Sequence, residues 1–280
     1  MKKIIINLFF IMFTLLFASK SYAQCTSCDV TVNNGGNMLT LAENQIYCIN
    51  GDVNFSDISW ANNTTICIPS GSKLTINNNM HNNVNTNTVN FEIYGELQFG
   101  NPEFAVNVNM NIHPSGKYKS TGNTGFSGSE VNINNQSGTF EVAVLDLNSN
   151  SGIVKIINSN SATFTINNNL NVGGNVSLNF DNEGTLTVGA QFALNSNSSF
   201  FNCGTINTQG FNIEGATVYN TGTMNISDID GSGDIFNYSI LNVENILGNS
   251  KNFHNSGRIE VSGNSVAHMT IYGPNDLPKY

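Results

Sequence analysis

Short runs of alternating polar and apolar residues recur in one order along most of the chain. They read GSKLTI at 71–76, GELQF at 95–99, GKYKS at 116–120, GTFEV at 138–142 and ATFTI at 162–166. GTLTV at 184–188, GTINT at 204–208, GTMNI at 222–226, SILNV at 239–243 and GRIEV at 257–261 continue the series. Alternation with period two is the mark of a strand with one buried face. The central apolar residues are Leu74, Leu97, Tyr118, Phe140, Phe164, Leu186, Ile206, Met224, Leu241 and Ile259, and Val53 in GDVNF supplies an earlier member. Their spacing drifts between 24 residues (Phe140 to Phe164) and 17 (Met224 to Leu241).

A second strand precedes each of these, as in NFEIY, EVNI, IVKII, VSLNF and ATVY, and a looser third segment follows, as in AVLDLN, NNNLNV and GFNIEG. The linking turns NNQSG, NSNSA, DNEG, NCG, NTG and HNSG are rich in Asn and Gly, which tolerate sharp corners. Two or three short strands in each period of about 20 residues, with no helix between, predict a coil of parallel strands. One turn cannot bury its own apolar face; stacked turns, about 4.8 Å apart, build a continuous core. The expectation is an all-β, right-handed, single-stranded parallel β-helix of about ten to eleven turns over 51–272. A left-handed helix expects strict hexapeptides, and a β-sandwich has no reason to keep an ordered motif column. Equivalent side chains should stack: Asn202, Asn220 and Asn237 as an Asn ladder, Leu186, Ile206, Met224 and Leu241 as an apolar one.

The chain opens MKKIIINLFFIMFTLLFASKSYAQ. Lys2 and Lys3, the apolar run from Ile4 to Phe17 and the small residues up to Ala23 have the form of a secretory signal peptide, residues 1–23, cut after Ala23. The run is short for a membrane span, and the competing reading is an uncleaved anchor. Cleavage removes Lys2, Lys3 and Lys20 and leaves 7 basic against 19 acidic residues, a formal net charge of −12. No basic footprint for nucleic acid is present, and no later segment is apolar enough for membrane insertion. The expected location is secreted or at the cell surface.

Five Cys follow the leader. In an oxidising compartment Cys25, Cys28, Cys48 and Cys67 are disulfide candidates, with three connectivities open. They mark residues 24–50 as an N-terminal cap; Cys203 is the odd thiol. Residues 273–280 read as a C-terminal tail: either Pro274 and Pro278 blunt the last turn, or the chain stops short of further domains.

On CTSC at 25–28, YCI at 47–49, TICIPSG at 65–71 and the Gly-Thr column, the sequence resembles secreted surface proteins of Bacteroidetes-type bacteria. Those proteins carry Asn-, Gly- and Thr-rich parallel β-helices, and they are similar to adhesins and cell-surface filaments. Such proteins usually end in a sorting domain for the type IX secretion pathway; this sequence shows no such domain. The resemblance implies an exported, non-enzymatic scaffold or adhesin whose partner is a polysaccharide or another cell surface.

Three sets of residues carry candidate chemistry. Asp228, Asp230 and Asp234 in SDIDGSGD offer oxygen ligands of the kind calcium takes, although no Glu closes an EF-hand loop; the competing reading is an Asp-Gly turn. Lys117 and Lys119, with Glu96 on the turn before and Glu141 on the turn after, form a charged patch near His113. A β-helix polysaccharide lyase or hydrolase places base and cation on such a face, and ordinary cross-strand ion pairing makes the same pattern. Thr163 and Thr165, Thr185 and Thr187, then Thr205 and Thr223 fall in adjacent outward columns, as on ice-binding proteins; Thr is also a good outward strand residue. His81, His254 and His268 have no ligand spacing to one another, and no cofactor motif is present.

Overall fold

A computed structural model describes residues 24–148, 152–248, 251–265 and 269–273. The expected signal peptide, residues 1–23, His268 and tail residues 274–280 lie outside this set.

The chain is a parallel β-solenoid of about 12 turns, with no helix among the described residues. Its strands form two sheets. The first holds 13 strands, from Val30–Val32 to Met269–Tyr272, each parallel to the next. The second holds 16 strands in two branches. One branch is a column running from Gly36–Thr40 to Arg258–Val261. The other is a shorter column beginning at Glu103–Phe104, which merges with the first where Thr185–Leu194 bends and serves both. All these ladders are parallel, the arrangement a sandwich lacks. The count exceeds ten to eleven because the expected cap, 24–50, already contributes Val30–Val32, Gly36–Thr40 and Ile46–Ile49 to the coil.

The central apolar residues of the motif stand in register from Val53 through Leu74, Leu97, Tyr118, Phe140, Phe164, Leu186, Ile206, Met224 and Leu241 to Ile259. All are buried except the last, which is partly so. Tyr118, Phe140 and Phe164 stack face to face at 4.8 and 4.1 Å. Offset stacking of this kind adds to plain area burial.

The Asn-x-Gly-Thr turn combines three requirements. Asn turns inward. Gly then passes so close to the preceding turn that an added Cβ at Gly204 or Gly222 would lie 2.1 Å from the carbonyl oxygen of Gly184 or Gly204. Thr opens the next strand: the N–H of Thr205 donates to the Gly184 carbonyl, and that of Thr223 to the Gly204 carbonyl, both at 2.9 Å.

The Asn ladder is longer than the sequence reading. Asn135, Asn158, Asn182, Asn202, Asn220, Asn237 and Asn255 occupy one register column, and the first six are fully buried. Each Nδ2 donates to the Oδ1 of the next turn, at 3.1, 2.8, 2.7, 2.8, 2.7 and 2.8 Å in order. The same nitrogens donate again to backbone carbonyls of the following strand, those of Thr163, Thr185, Thr205, Thr223, Ile240 and Arg258. In earlier turns this column is apolar: Ile68, Ile93 and Ile112 lead up to Asn135. The buried column thus changes from hydrocarbon to fully paired amide midway along the coil, satisfying the rule that buried polar groups be bonded.

Two disulfides, Cys25–Cys67 and Cys28–Cys48, fix the N-terminal stretch to the first turns. Cys48 and Cys67 are neighbours in register. Cys203 is a free, exposed thiol that accepts a hydrogen bond from the Thr221 hydroxyl at 3.2 Å.

Candidate functional site

The outer surface consists of the outward members of the same strands, so its chemistry also comes in columns. The charged patch lies on the second column. Asp52, Lys73, Glu96 and Lys117 follow one another in register, and Lys119 and Glu141 stand opposite each other in the adjacent outward column. Lys73 pairs with Glu96 at 2.9 Å, and Glu141 takes Lys119 at 3.4 Å and Lys117 at 3.9 Å. The structure therefore brings Glu96, Lys117, Lys119 and Glu141 onto one face, with each charge set against its opposite. At the neighbouring corner the His113 Nε2 sits 2.6 Å from Glu92, whose other oxygen accepts from Asn111 at 2.8 Å. The His113 ring stacks on Tyr94 at 3.9 Å. Burial, and then the Glu92 charge, raise the Tyr94 phenol above its ordinary range. A shallow recess of ≈ 430 Å³ beside Tyr94 is bordered by Asp52, Lys73, Glu96 and Lys117.

The three aspartates do not converge. Asp228 and Asp230 lie on Thr223–Asp230, and Asp234 opens Asp234–Asn237 in the other sheet. Asp228 accepts from Asn245 at 2.8 Å and Asp234 from Asn252 at 2.7 Å, while Asp230 caps the N–H of Gly231. Among the described residues no three His, Cys, Asp or Glu side chains gather closely enough to hold a metal ion.

Thr163, Thr185, Thr205 and Thr223 form one outward column, and Thr139 extends it to five. Thr165 and Thr187 stand together in the adjacent column, which continues as Asn207, Asn225 and Asn242 and ends at Glu260.

Two surface features escaped the sequence reading. The first is an outward stack on the first sheet: Phe201, Tyr219, Phe236, His254 and Tyr272, with centroids 4.7, 4.9, 4.3 and 4.6 Å apart and planes within 14°. Its signal was present, since each ring up to His254 directly precedes a ladder Asn. Stacked along the axis, these rings spend their faces on one another and turn edges outward. The second is a groove of ≈ 560 Å³ over the bend between the two branches of the second sheet. Its floor is the Thr187, Asn207, Asn225, Asn242, Glu260 column; Gly189, Gln209, Ser227, Glu244 and Ser262 form its far side. Within it Asn225 donates to Asn207, and Asn242 to Asn225, both at 2.9 Å. The concavity follows from a bend in the strands, which no periodicity announces.

No protein-family model, no curated protein and no solved structure matches the chain. The class it belongs to rests on its own geometry: a disulfide-clipped parallel β-solenoid with an internal Asn ladder.

Proposed function

We propose that the chain is an exported, non-enzymatic β-solenoid acting as a scaffold or adhesin at the cell surface or outside the cell, with a polysaccharide or another cell surface as its contact. The observation that carries this reading is the rank-to-rank pairing of the outer side chains. Asn132 donates to Asn109 and Asn109 to Asn90, both at 2.9 Å; Asn171 donates to Asp146 at 2.7 Å. The lysines of the charged patch are paired in the same way. Such a surface is rigid and regular, and its reactive groups are tied to one another, which suits contact better than chemistry. The two disulfides support an oxidising, extracellular setting. The finer likeness, to type IX cargo adhesins of Bacteroidetes-type bacteria, belongs to the same proposal.

The test is incubation of residues 24–280 with a panel of neutral and acidic polysaccharides, scoring retention and chain cleavage together. Retention with intact chains is expected. Cleavage that disappears on Lys117→Ala or Lys119→Ala would replace this reading with the lyase or hydrolase.

One specific observation favours a second reading, ice binding: the five-deep Thr139 to Thr223 column with Thr165 and Thr187 beside it. A flat, regular array of methyl and hydroxyl groups can order water. Inhibition of ice recrystallisation that Thr185→Tyr abolishes would establish it; no inhibition by the unaltered chain would remove it.

A further inference from the structure

The amide-floored groove has properties that neither its neighbours nor the adhesin reading specifies. The floor column is a directional chain: Asn242 Nδ2 to Asn225 Oδ1, then Asn225 Nδ2 to Asn207 Oδ1. Donors all point toward the N-terminal turns. The run therefore leaves an acceptor over at its other end. Asn242 Oδ1 is buried and has no hydrogen-bond partner. A further Asn would satisfy it, but the residue in register there is Glu260, a carboxylate and itself an acceptor. Glu260 is paired with Arg258 through its Oε1. Glu244 borders the same end of the groove and is exposed. The lining holds no Lys or Arg. At this end the groove presents the Glu244 and Glu260 carboxylates beside the Ser262 hydroxyl, with the Asn242 Oδ1 lying below the surface, and amides and hydroxyls (Thr187, Gln209, Ser227) run along the rest.

Acceptor-rich lining selects a ligand that brings hydroxyl donors. Glu260 is offset by Arg258, but the exposed Glu244 carboxylate has no cation among the lining residues and penalises an anionic ligand, since like charges close together repel. Ranks about 4.8 Å apart repeat on the scale of one sugar ring, and the groove follows the column across successive turns. We propose that this groove is the binding site for a neutral, hydroxyl-rich glycan chain laid along the solenoid axis, and that uronic-acid polymers are excluded from it. The proposal rests on the adhesin reading and makes it specific. It also separates contact from the charged patch at Lys117, which lies on earlier turns of the same sheet.

The experiment is calorimetric titration of residues 24–280 with hexamers of β-glucan, β-xylan and β-mannan, and with hexamers of galacturonate and of alginate. Three variants are compared: Ser227→Trp, which fills the groove; Glu244→Arg, which reverses charge at an exposed rim residue; and Lys117→Ala, away from it. At least one neutral hexamer is expected to bind the parent chain, to weaken at least 10-fold on Ser227→Trp and to be unmoved by Lys117→Ala. Glu244→Arg is expected to raise affinity for the acidic hexamers at least 3-fold. That arm stands if Ser227→Trp fails to fold, which circular dichroism would show. Neutral binding that survives a folded Ser227→Trp overturns the groove while leaving the adhesin reading in place. Acidic hexamers that bind best, and are lost with Lys117→Ala, overturn it in favour of the charged patch. Retention of no hexamer and no polymer from the panel overturns both readings.

Discussion

At the scale of single residues the Asn ladder is where the fold is most exposed to substitution. Asn202 accepts from Asn182 and donates to both Asn220 and the Thr223 carbonyl, all inside the core. Asn202→Leu fits the column sterically, as the isoleucines of the earlier turns do, but it removes these three hydrogen bonds, leaving Asn182 Nδ2 with only the Thr205 carbonyl and Asn220 Oδ1 with only the Gly222 N–H. Each lost bond costs about 0.5–1.5 kcal/mol, so the expected loss is about 2–4 kcal/mol, read as a fall in the urea midpoint. Asn255 stands at the end of the run, where it accepts from Asn237 and donates only within its own turn. Asn255→Ala should cost about 1 kcal/mol. Equal losses at the two positions would mean that the ladder is not the shared polar column described. Tyr118 offers a second handle. Its phenol is fully buried, and burial pushes it well above its ordinary range, against a smaller opposing effect of the Thr124 hydroxyl 3.4 Å away. A raised folded value means that the stabilisation is complete below about pH 10, where an unfolded tyrosine begins to ionise. It is then lost as the pH rises further. The urea midpoint should therefore fall above about pH 10, and Tyr118→Phe should flatten that fall. An unchanged slope in the variant would place the alkaline lability elsewhere.

At the scale of elements, the strand columns were largely legible and the corners were not. The central apolar column from Val53 to Ile259 could be read because one inward residue per turn sits in a fixed motif, whatever the loops do. The Asn ladder was read for Asn202, Asn220 and Asn237, where a three-residue step separates Asn from the next strand; Asn182 and Asn255 share that step and were readable by the same rule. In the turns of Asn135 and Asn158 the step is longer, as the register to Thr139 and Thr163 shows, and the Asn loses its alignment with the Gly. The disulfide partners were legible as a set; their pairing depends on which residues stand side by side in adjacent turns, and one sequence does not carry that information. Glu96, Lys117, Lys119 and Glu141 came together as expected because they belong to regular strands. Asp228 and Asp234 did not, because the intervening Gly-rich turn changes sheets. The paired clip gives an element-level prediction. Removing Cys25–Cys67, which closes 42 residues, as the double Cys→Ser variant should cost about 2–4 kcal/mol. Hydrogen exchange should quicken over residues 30–68 and stay unchanged beyond residue 150. Faster exchange throughout would mean that the first turns nucleate the whole coil.

At the scale of the molecule, the question is whether twelve stacked turns behave as one cooperative core. Each strand pairs only with the strands one turn before and after it, so stability should approach a sum of turn and interface contributions. The apolar interior is nevertheless continuous from end to end, and that continuity argues for coupling over several turns. Phe164→Ala decides between the two. Phe164 is fully buried between Phe140, at 4.1 Å, and Phe180, at 5.4 Å, and removing its ring opens a cavity worth about 3–5 kcal/mol. In a nearest-neighbour coil, hydrogen exchange should accelerate from about Phe140 to Leu186, while Val218 to Ile246 keep their parent rates. In a single cooperative core the slowest amides would all shift by the same factor. The local outcome is the expected one, because the hydrogen bonds that protect these amides run along the axis and are broken turn by turn. It also bears on contact with a surface. A rod that opens locally keeps its remaining faces in register, so the end of the groove at Asn225, Asn242 and Glu244, three and four turns from Phe164, should still hold its ligand in the Phe164→Ala variant, although the Thr187 end is only one turn away.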